Sequence, residues 1–512
     1  MSDILEEGDY KEFKMDDEIK LRGLKTMSNG IDWTILATEI PLETEEIFQK
    51  VERMEQILYI LKNGSIKENI DNVEQEIVRI VERLCEVMRP INEMRQFDAS
   101  GELERVSKDI QRAYHKLVNI CLQCIDILLF MFTFLMENPK INNKIIQALA
   151  TYQINTDPWT SMKNYSLSSK ILGDVMKRMA LGEILDYILM NDIRPYFSTQ
   201  QNKLSCRKNM QLKTKKLIRR PYENIRGLSG AFGAELWKTE RIECTSILEW
   251  ILFKDTAVKN IYLIISFLVI LLEDADPHFK LKSSRCLDHL LPKCDSALMK
   301  KTGMGDLFWE LVTQCLSYHP PSIDISISIP LLRTSLNNLI ALAFLMQPDL
   351  KDQRVKLYDE IVYNGIFNGM FYSGEQSDMV VLLMEYTEKL VNIMGIYAVK
   401  HIKMLISLVS SVLEKSFQIN HPQCFLEAAK ALKTIIHVCW PRIEHHHATI
   451  LQGICFCWLN IQSQKGEIID ETKNQLHFCV KSLKKIMGNK LDNDIKTLMD
   501  TDPNLALFFK DI

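Results

Sequence analysis

The sequence contains few of the residues that make tight turns. Only 19 of its 512 residues are glycine and 15 are proline, roughly half to two-thirds of ordinary usage for each. Short hairpin connections depend on such residues, so a fold of many short strands is disfavoured. No convincing alternation of apolar and polar residues occurs. The best strand candidate, SIDISISI at 322–329, is spaced by serines between prolines and is interpreted as a linker.

The sequence also lacks strong net charge and long apolar runs. Its formal charge is −4, so no global field would attract it to nucleic acid or to an anionic membrane. The two most apolar stretches, Cys121–Met136 and Ile261–Leu272, are shorter than the roughly 20 residues that span a bilayer. Both are predicted to be buried core helices, and no membrane partner is expected. The acidic start of the chain predicts no secretory signal.

Cysteines are present but scattered. Their number, thirteen, is odd, and most lie on apolar helix faces. This usage is typical of a reducing compartment, where cysteine behaves as a small hydrophobic residue. A cytoplasmic location is therefore expected.

Apolar residues recur at helical spacing from about Ile47 onward. Ile47, Val51, Met54, Leu58 and Leu61 share one face, and a second series runs to Met88, before a proline. Further helices are predicted near 103–136, 141–151 and 167–190, and from 243 to the end.

An internal repeat is visible at an offset of 145 residues. Pro277 aligns with Pro422, and five pairs of small or apolar residues follow in step: Leu281/Leu426, Ser284/Ala429, Leu287/Leu432, Leu290/Ile435 and Leu291/Ile436. Asn138-Pro139 offers a weaker third copy. An interval of this length would hold three or four helix pairs of the HEAT type. The predicted fold class is all-α, a HEAT/armadillo-like helical-repeat solenoid.

Composition divides the chain into four regions. Residues 1–45 are an acidic, flexible N-terminal segment, and residues 46–192 form an N-terminal helical region. Residues 193–240 hold prolines, glycines and many basic residues, and are predicted to be a linker loop. Residues 241–512 form a C-terminal HEAT-like helical-repeat region.

One acidic cluster is a candidate for chemistry. Glu273, Asp274 and Asp276 precede Pro277 and His278, and such a group could bind a cation or perform acid–base catalysis. The spacing does not match a calcium loop. A turn followed by a helix start explains the same residues, because proline suits the first helical position and acids suit a helix N-terminus. His278 is expected to be exposed.

Two glycine motifs are incomplete. Gly303-Met304-Gly305 begins like a dinucleotide fingerprint, but Phe308 stands at the third glycine position. Residues 227–231 resemble a nucleophile elbow, yet Ala231 replaces the second glycine. Neither motif follows a predicted strand. No catalytic or cofactor-binding residue is predicted, and the chain is expected not to be an enzyme.

The metal candidates have the right ligand types at unsuitable spacings. His445, His446 and His447 lie near Cys439, Cys455 and Cys457, but no paired CxxC spacing is present. Cys121 and Cys124 form a CxxC inside an apolar helix, where packing is the favoured interpretation. Neither a metal nor a cofactor is predicted.

The basic stretch 203–226 is the only dense charge patch. It holds nine basic residues and one acid, and its centre contains Lys213, Lys215, Lys216, Arg219 and Arg220. Nucleic-acid loops usually interleave aromatic residues, and only Tyr222 occurs here. A solvated loop is favoured, docking on an acidic partner comes second, and nucleic acid is the least favoured.

Four ordered blocks resemble the Tti-two (Tel-two-interacting protein two) family. They cover 235–253, 271–292, 301–321 and 329–342, whereas the N-terminal half and the basic loop have no counterpart in the resemblance. The residues that carry the resemblance are Trp237, Lys238, Trp250, Asp274, Asp276, Pro277, Phe279, Lys280, Gly303, Gly305 and Leu307.

The resemblance implies a non-enzymatic scaffold subunit, the smallest in the TTT co-chaperone complex. Its implied partners are the larger Tti subunit and the Tel subunit, and indirectly the PI3-kinase-related kinases and the ninety-kilodalton heat-shock chaperone. Effects on DNA-damage signalling would follow indirectly, and a nuclear location would accompany the cytoplasmic one. The alternative is another HEAT-type adaptor, for transport or nucleic-acid-associated complexes, that uses the basic loop 203–226.

Overall fold

The structure is a computed structural model. It describes residues 31, 33–41, 45–63, 73–91, 108–177, 181–197, 236–254, 261–297, 299, 303–348, 351–415 and 420–510. Within these ranges every regular element is helical and no strand occurs, as the sequence predicts.

The N-terminal half contains seven helices among its described residues. Helix α7 continues through a π-helical segment, Ile188–Ile193, to residue 197. The bounds are α1 Trp33–Glu39, α2 Ile47–Asn63, α3 Val73–Val87, α4 Lys108–Met131, α5 Pro139–Ala150, α6 Met162–Met176 and α7 Leu181–Tyr187.

The C-terminal half starts with a short helix and continues with longer ones. The bounds are α8 Leu236–Thr239, α9 Glu243–Phe253, α10 Ile261–Glu273, α11 Pro277–Leu290, α12 Met304–Cys315, α13 Ile325–Met346, α14 Lys351–Ile361, α15 Asn368–Ser373, α16 Ser377–Met394, α17 Ile402–Glu414, α18 Pro422–Val438, α19 Trp440–Ile443, α20 His447–Ile461, α21 Glu467–Met487, α22 Lys490–Thr501 and α23 Asn504–Phe509.

The helices stack in two layers along the chain. In the N-terminal half, α1, α3 and α5 contact one another in sequence, while α2, α4 and α6 form the second layer. In the C-terminal half, α9, α11, α13, α16, α18 and α21 follow one another in one layer. From α11 onward, each of these helices also contacts a neighbouring helix of the opposite layer, such as α11 with α10 or α18 with α17. This arrangement is the HEAT/armadillo-like solenoid predicted from the sequence.

A continuous apolar core runs along the stack. By length and composition, Lys108–Met131, Ile325–Met346 and Ser377–Glu414 could each cross a membrane. About half of each apolar window is buried against neighbouring helices. The third span consists of α16 and α17, separated by a 3-10 segment that begins at Gly395, whose φ is +56°. Packing within the solenoid therefore accounts for the apolar composition.

The three prolines of the predicted repeat occupy equivalent positions. Pro139, Pro277 and Pro422 each stand in the first turn of a helix, α5, α11 and α18. All ten residues paired at the 145-residue offset are buried. The pattern thus marks helices that present the same face to the core.

The interpretation of 322–329 as a linker is wrong. Asp324 accepts a hydrogen bond from the backbone N–H of Ser326 and starts α13, which continues past Pro330. Buried Ser328 donates to the carbonyl oxygen of Tyr318 at 2.7 Å, so tertiary packing outweighs the weak helix propensity of the serines. The helical turns of α7 and α8 also enter both ends of the segment predicted as a linker, 193–240.

Candidate functional site at the junction of the two halves

Trp237 anchors an aromatic cluster where the two halves meet. Its ring stacks on Phe197 with centroids 5.6 Å apart and meets Phe279 edge-on at 4.8 Å. Phe197 also contacts Phe267 of α10 at 4.7 Å. All four rings are buried. The cluster therefore joins the end of α7 to α8, α10 and α11, and such pairs contribute beyond their buried area.

Lys238 ties this cluster to the turn before α11. Its Nζ lies 3.0 Å from Oδ1 of Asp274 and 4.8 Å from the Phe279 ring centroid. The same carboxylate oxygen accepts from the backbone N–H of Asp276 at 2.8 Å. Four of the residues that carry the family resemblance, Trp237, Lys238, Asp274 and Phe279, thus meet in one place.

The acidic cluster forms a turn and a helix start, as the sequence predicts. The Asp276 side chain accepts from the backbone N–H of His278 at 2.9 Å, and Pro277 follows at the first helical position. Lys280 is buried, which lowers its pKa, and its Nζ donates to the carbonyl oxygen of Leu272. Among the described residues, no group of His, Cys, Asp and Glu side chains is arranged to hold a metal ion.

The expectation that His278 is exposed is wrong. The side chain is buried, and its Nε2 lies 3.7 Å from Oδ1 of Asp157. Helix α11 is covered from several sides because it contacts α9, α10 and α13. Burial, followed by the charges of Lys282 and Arg285, holds the pKa of His278 well below its usual value.

The remaining family-motif residues lie elsewhere. Gly303 precedes α12 with φ +67°, a conformation that favours glycine. A Cβ on Gly305 would lie 2.8 Å from Cγ of Met346, so this glycine permits the close approach of α12 to the end of α13. Leu307 is half-buried on α12, and Trp250 is buried on α9. A role of any of these residues in binding a partner stays a prediction.

A buried polar network, which the sequence did not predict, crosses the junction. Lys282 on α11 places its Nζ 2.6 Å from Oδ2 of Asp157 and 3.0 Å from Oγ of Ser246. The Ser246 hydroxyl donates to the same carboxylate oxygen at 2.5 Å. Asp157 belongs to the segment between α5 and α6, whereas Ser246 lies on α9. One lysine therefore links the N-terminal half to two helices of the C-terminal half.

Glu249 completes this network without a hydrogen bond. Its Oε2 lies 3.8 Å from Lys282 Nζ, and its Oε1 lies 3.8 Å from Nη1 of Arg285. Neither oxygen accepts a hydrogen bond from any described residue. Burial, with a smaller contribution from the Asp157 charge, raises the pKa of Glu249 to about 7 despite the opposing effect of Lys282. The carboxylate is thus the least satisfied charge in the network.

Serine, lysine and aspartate together could suggest nucleophilic catalysis. Ser246 is 0% exposed, Lys282 1% and Asp157 2%, so a substrate has no access to the hydroxyl in this conformation. A nucleophile needs a reacting atom within about 3.5 Å. The geometry favours a structural role, in which a paired buried charge fixes the position of two elements.

Sequence reasoning missed this network because its members are far apart along the chain. Asp157 and Lys282 are separated by 125 positions. The only local signal is a lysine within the apolar pattern of α11, next to Leu281. Such a lysine indicates a buried cation but cannot identify its partner.

The other predicted candidates do not form a site among the described residues. Cys439, Cys455 and Cys457 are buried, and burial raises the pKa of each thiol. His447 is paired instead with Asp494, with Nε2 3.2 Å from Oδ2. The basic residues Lys213, Lys215, Lys216, Arg219 and Arg220 lie outside the described residues.

Comparison with known proteins identifies a family. The model of the Tti2 family matches residues 145–420, which include the junction and most of the C-terminal stack. No curated protein matches the chain significantly. A crystal structure of importin beta in an ammonium sulfate condition is similar, with 11% sequence identity and a TM-score of 0.40. The match covers 93% of this chain and 61% of the importin beta chain.

Proposed function

The chain belongs to the Tti2 family, and from this premise we propose that it is a non-enzymatic adaptor subunit of the TTT co-chaperone complex. The family match over the helical-repeat stack is the observation that carries the proposal. Solenoids bind other proteins through extended surfaces. The buried position of Ser246, Lys282 and Asp157 supports an adaptor rather than an enzyme.

The proposed direct partner is the larger Tti subunit, with the Tel subunit in the same complex. The complex would act with the ninety-kilodalton heat-shock chaperone to stabilise and assemble PI3-kinase-related kinases. It would operate in the cytoplasm and also in the nucleus. These roles follow from the family and not from a contact in the structure.

Exposed aromatic side chains around α14 and α15 support a protein-binding role. Phe371 is 82% exposed, and its ring meets that of Tyr372 at 5.1 Å. Phe344, Tyr363 and Tyr397 are also exposed. Large exposed apolar groups favour an interface, and all five lie between positions 344 and 397, within the part of the chain that the family model matches. We call these five residues the aromatic edge.

Coexpression with the larger Tti subunit tests the proposal. Size-exclusion chromatography with light scattering should show a stable complex of the two chains. Elution as a separate monomer that captures no helical-repeat partner would overturn the adaptor assignment.

A matched pair of variants tests the aromatic edge separately. Phe371→Ser should weaken the complex at least about tenfold, because exposed aromatic anchors carry much of an interface's binding energy. The control is Phe130→Ser, since Phe130 is equally exposed, at 89%, but lies on α4 outside the matched region. Equal affinities of both variants and the parent would exclude the aromatic edge while leaving the adaptor role intact.

A further inference from the structure

A groove separates α20 from α22 and α23. Its volume of about 400 Å³ falls within the range of specific binding pockets, about 300–1,000 Å³. One wall is a ridge of α20 formed by Leu451, Cys455 and Leu459. Leu498 of α22 and Leu505 of α23 line the other wall. The groove therefore has apolar walls contributed by three helices.

The groove lies on the side of α20 that faces away from the preceding repeat. On the other side α20 packs along α17, where a Cβ on Gly453 would lie 3.1 Å from the Ser410 side chain. Leu451 and Cys455 are each two residues from Gly453, so they point about 200° away from it. Beyond α20, the six-residue α23 packs against it, whereas α22 packs against α21 and α23. Within the described part of the chain, no full-length helix covers the ridge.

The walls of the groove are accessible and suit a helix. Phe456 lines the groove and is 49% exposed, and Leu459 and Leu498 are half-buried. Leu451, Cys455 and Leu459 are spaced four residues apart, and rows of this spacing interdigitate with the side chains of a second helix. An extended peptide would need the edge of a sheet to pair its backbone, and no strand occurs among the described residues. The groove therefore favours a helical ligand.

The rim on the α22 side is acidic. Asp494 and Asp502 line it, opposed by His447 of α20, whose Nε2 lies 3.2 Å from Oδ2 of Asp494. Asp502 is half-buried, and its Oδ1 accepts hydrogen bonds from the backbone and side-chain N–H groups of Asn504. No described cation forms an ion pair with Asp502. The two carboxylates therefore exceed the charge of His447 even when that histidine is protonated.

Neighbouring cations do not cancel this charge. Lys484 and Lys490 are each ion-paired, with Asp492 at 3.2 Å and with Glu444 at 2.5 Å. Among the described residues, no lysine or arginine lines the groove. Charge complementarity therefore favours a ligand that carries a cation beside its apolar side chains.

We propose that this groove binds an amphipathic helix of a protein partner, with apolar side chains four residues apart and a lysine or arginine beside them. The apolar row packs against Leu451, Cys455 and Leu459, and the cation pairs with Asp502. The groove lies outside residues 145–420, the part that the family model matches. The inference therefore goes beyond the proposed function, and its failure would leave that function intact.

Selection from a displayed peptide library, with the full chain as bait, tests the proposal. Each peptide is an alanine-based helix of about 16 residues, just above the length at which such helices are marginal. Positions four residues apart and the positions that flank them are randomised. We expect enrichment of large apolar residues at the spaced positions and of lysine or arginine beside them. Enrichment of acidic flanks would overturn the proposal. Selection of no peptide would overturn it too, and binding of anilinonaphthalene sulfonate to the groove would then indicate a small apolar ligand.

A matched pair of variants locates the binding site. Phe456→Ser should weaken binding of a selected peptide about tenfold or more in fluorescence anisotropy, because exposed aromatic side chains are frequent anchors. Phe478→Ser is the control, since Phe478 is 53% exposed on α21 but does not line the groove. Equal affinities of both variants and the parent chain contradict the assignment.

A second variant tests the charge. Asp502→Asn keeps a side chain that can cap α23 and should weaken binding of the basic peptide about two- to fivefold. The same peptide with its cations replaced by alanine should bind the variant and the parent chain equally. If Phe456→Ser does not fold, Asp502→Asn decides, and an unchanged affinity of the basic peptide contradicts the proposal.

Discussion

The junction between the two halves and the C-terminal stack use different chemistry to join neighbouring helices. At the junction, Lys282 is buried between Asp157 and Ser246. In the C-terminal stack, α18 packs against α16 and α21, and its buried residues include Ala428, Ala429 and Ala431. The first contact depends on a charge that must be paired, and the second on side chains small enough for close approach.

The difference concerns specificity. Apolar stacking tolerates many partners of suitable volume, whereas a buried charge is stable only opposite its complement. Residues 198–235 separate the two halves in the sequence. Helices α9 and α11 therefore pack against a segment, between α5 and α6, that is distant from them along the chain. We infer that the charged network selects the correct pairing of the two halves.

The largest expected effect on stability comes from removing the buried cation, Lys282. Lys282→Met should lower the free energy of unfolding by about 3–5 kcal/mol, because Asp157 would remain buried and charged. Chemical denaturation measures this. Adding Asp157→Asn should recover a large part of the loss. If the double variant is no more stable than the single one, the network is not held together by charge.

The second expected effect is that the free energy of unfolding depends on pH because Glu249 titrates. Because the pKa of this carboxyl is raised in the folded state from 4.5 to about 7, the folded chain binds a proton that the unfolded chain releases. The free energy of unfolding should therefore fall as pH rises from about 4.5 to 7, with the full loss of about 3 kcal/mol present above pH 7.

Glu249→Gln should remove this pH slope. The variant should be more stable than the parent chain at pH 8 and similar to it near pH 4.5. Denaturation at several pH values measures the free energy of unfolding of both proteins. If this free energy depends on pH in the same way in the variant and in the parent chain, the assignment to Glu249 is contradicted.

The third effect concerns close packing in the C-terminal stack. A Cβ on Gly453 would lie 3.1 Å from the Ser410 side chain and 3.2 Å from its Cα. Gly453→Ala should therefore cost about 1–3 kcal/mol through overpacking. Gly173 of α6 has nothing within 4 Å of the corresponding position, so Gly173→Ala should instead stabilise the chain by about 0.5–1 kcal/mol. Thermal unfolding of both variants measures the two changes in stability. If both substitutions stabilise the chain, or both destabilise it, the packing explanation is refuted.

The smallest effect distinguishes the helix starts of the repeat. Asp276 and Asn138 each accept a backbone hydrogen bond at the start of a helix, whereas His421 makes no such bond. Substitution of Asp276 or Asn138 by alanine should cost about 1 kcal/mol. His421→Ala, at the position equivalent to Asp276, should change the stability little. Equal losses at 276 and 421 would show that capping is not the cause.

Local patterns predicted much of the fold. Periodicity located α2 and α3, and the prolines located the starts of α5, α11 and α18, because these signals lie within a few residues of one another. The turn at Asp274 and Asp276 was predictable for the same reason. The domain limits and the roles assigned to the family-motif residues remain predictions.

Tertiary pairing was not predictable from one sequence. His278 and Ser328 are polar residues whose burial depends on elements elsewhere in the chain. The π-helical segments, Ile188–Ile193 and Val362–Phe367, have no simple sequence signal. Asp157, Ser246 and Glu249 become a site only when the segment between α5 and α6 packs against α9 and α11.

Hydrogen–deuterium exchange on the parent chain and on Lys282→Met tests the central claim most directly. If the charged network joins the two halves, amide protection should fall together in α5, α9 and α11, while α18 and α21 keep theirs, since repeats couple mainly to their neighbours. Loss of protection confined to α11, with α5 unaffected, would contradict the account.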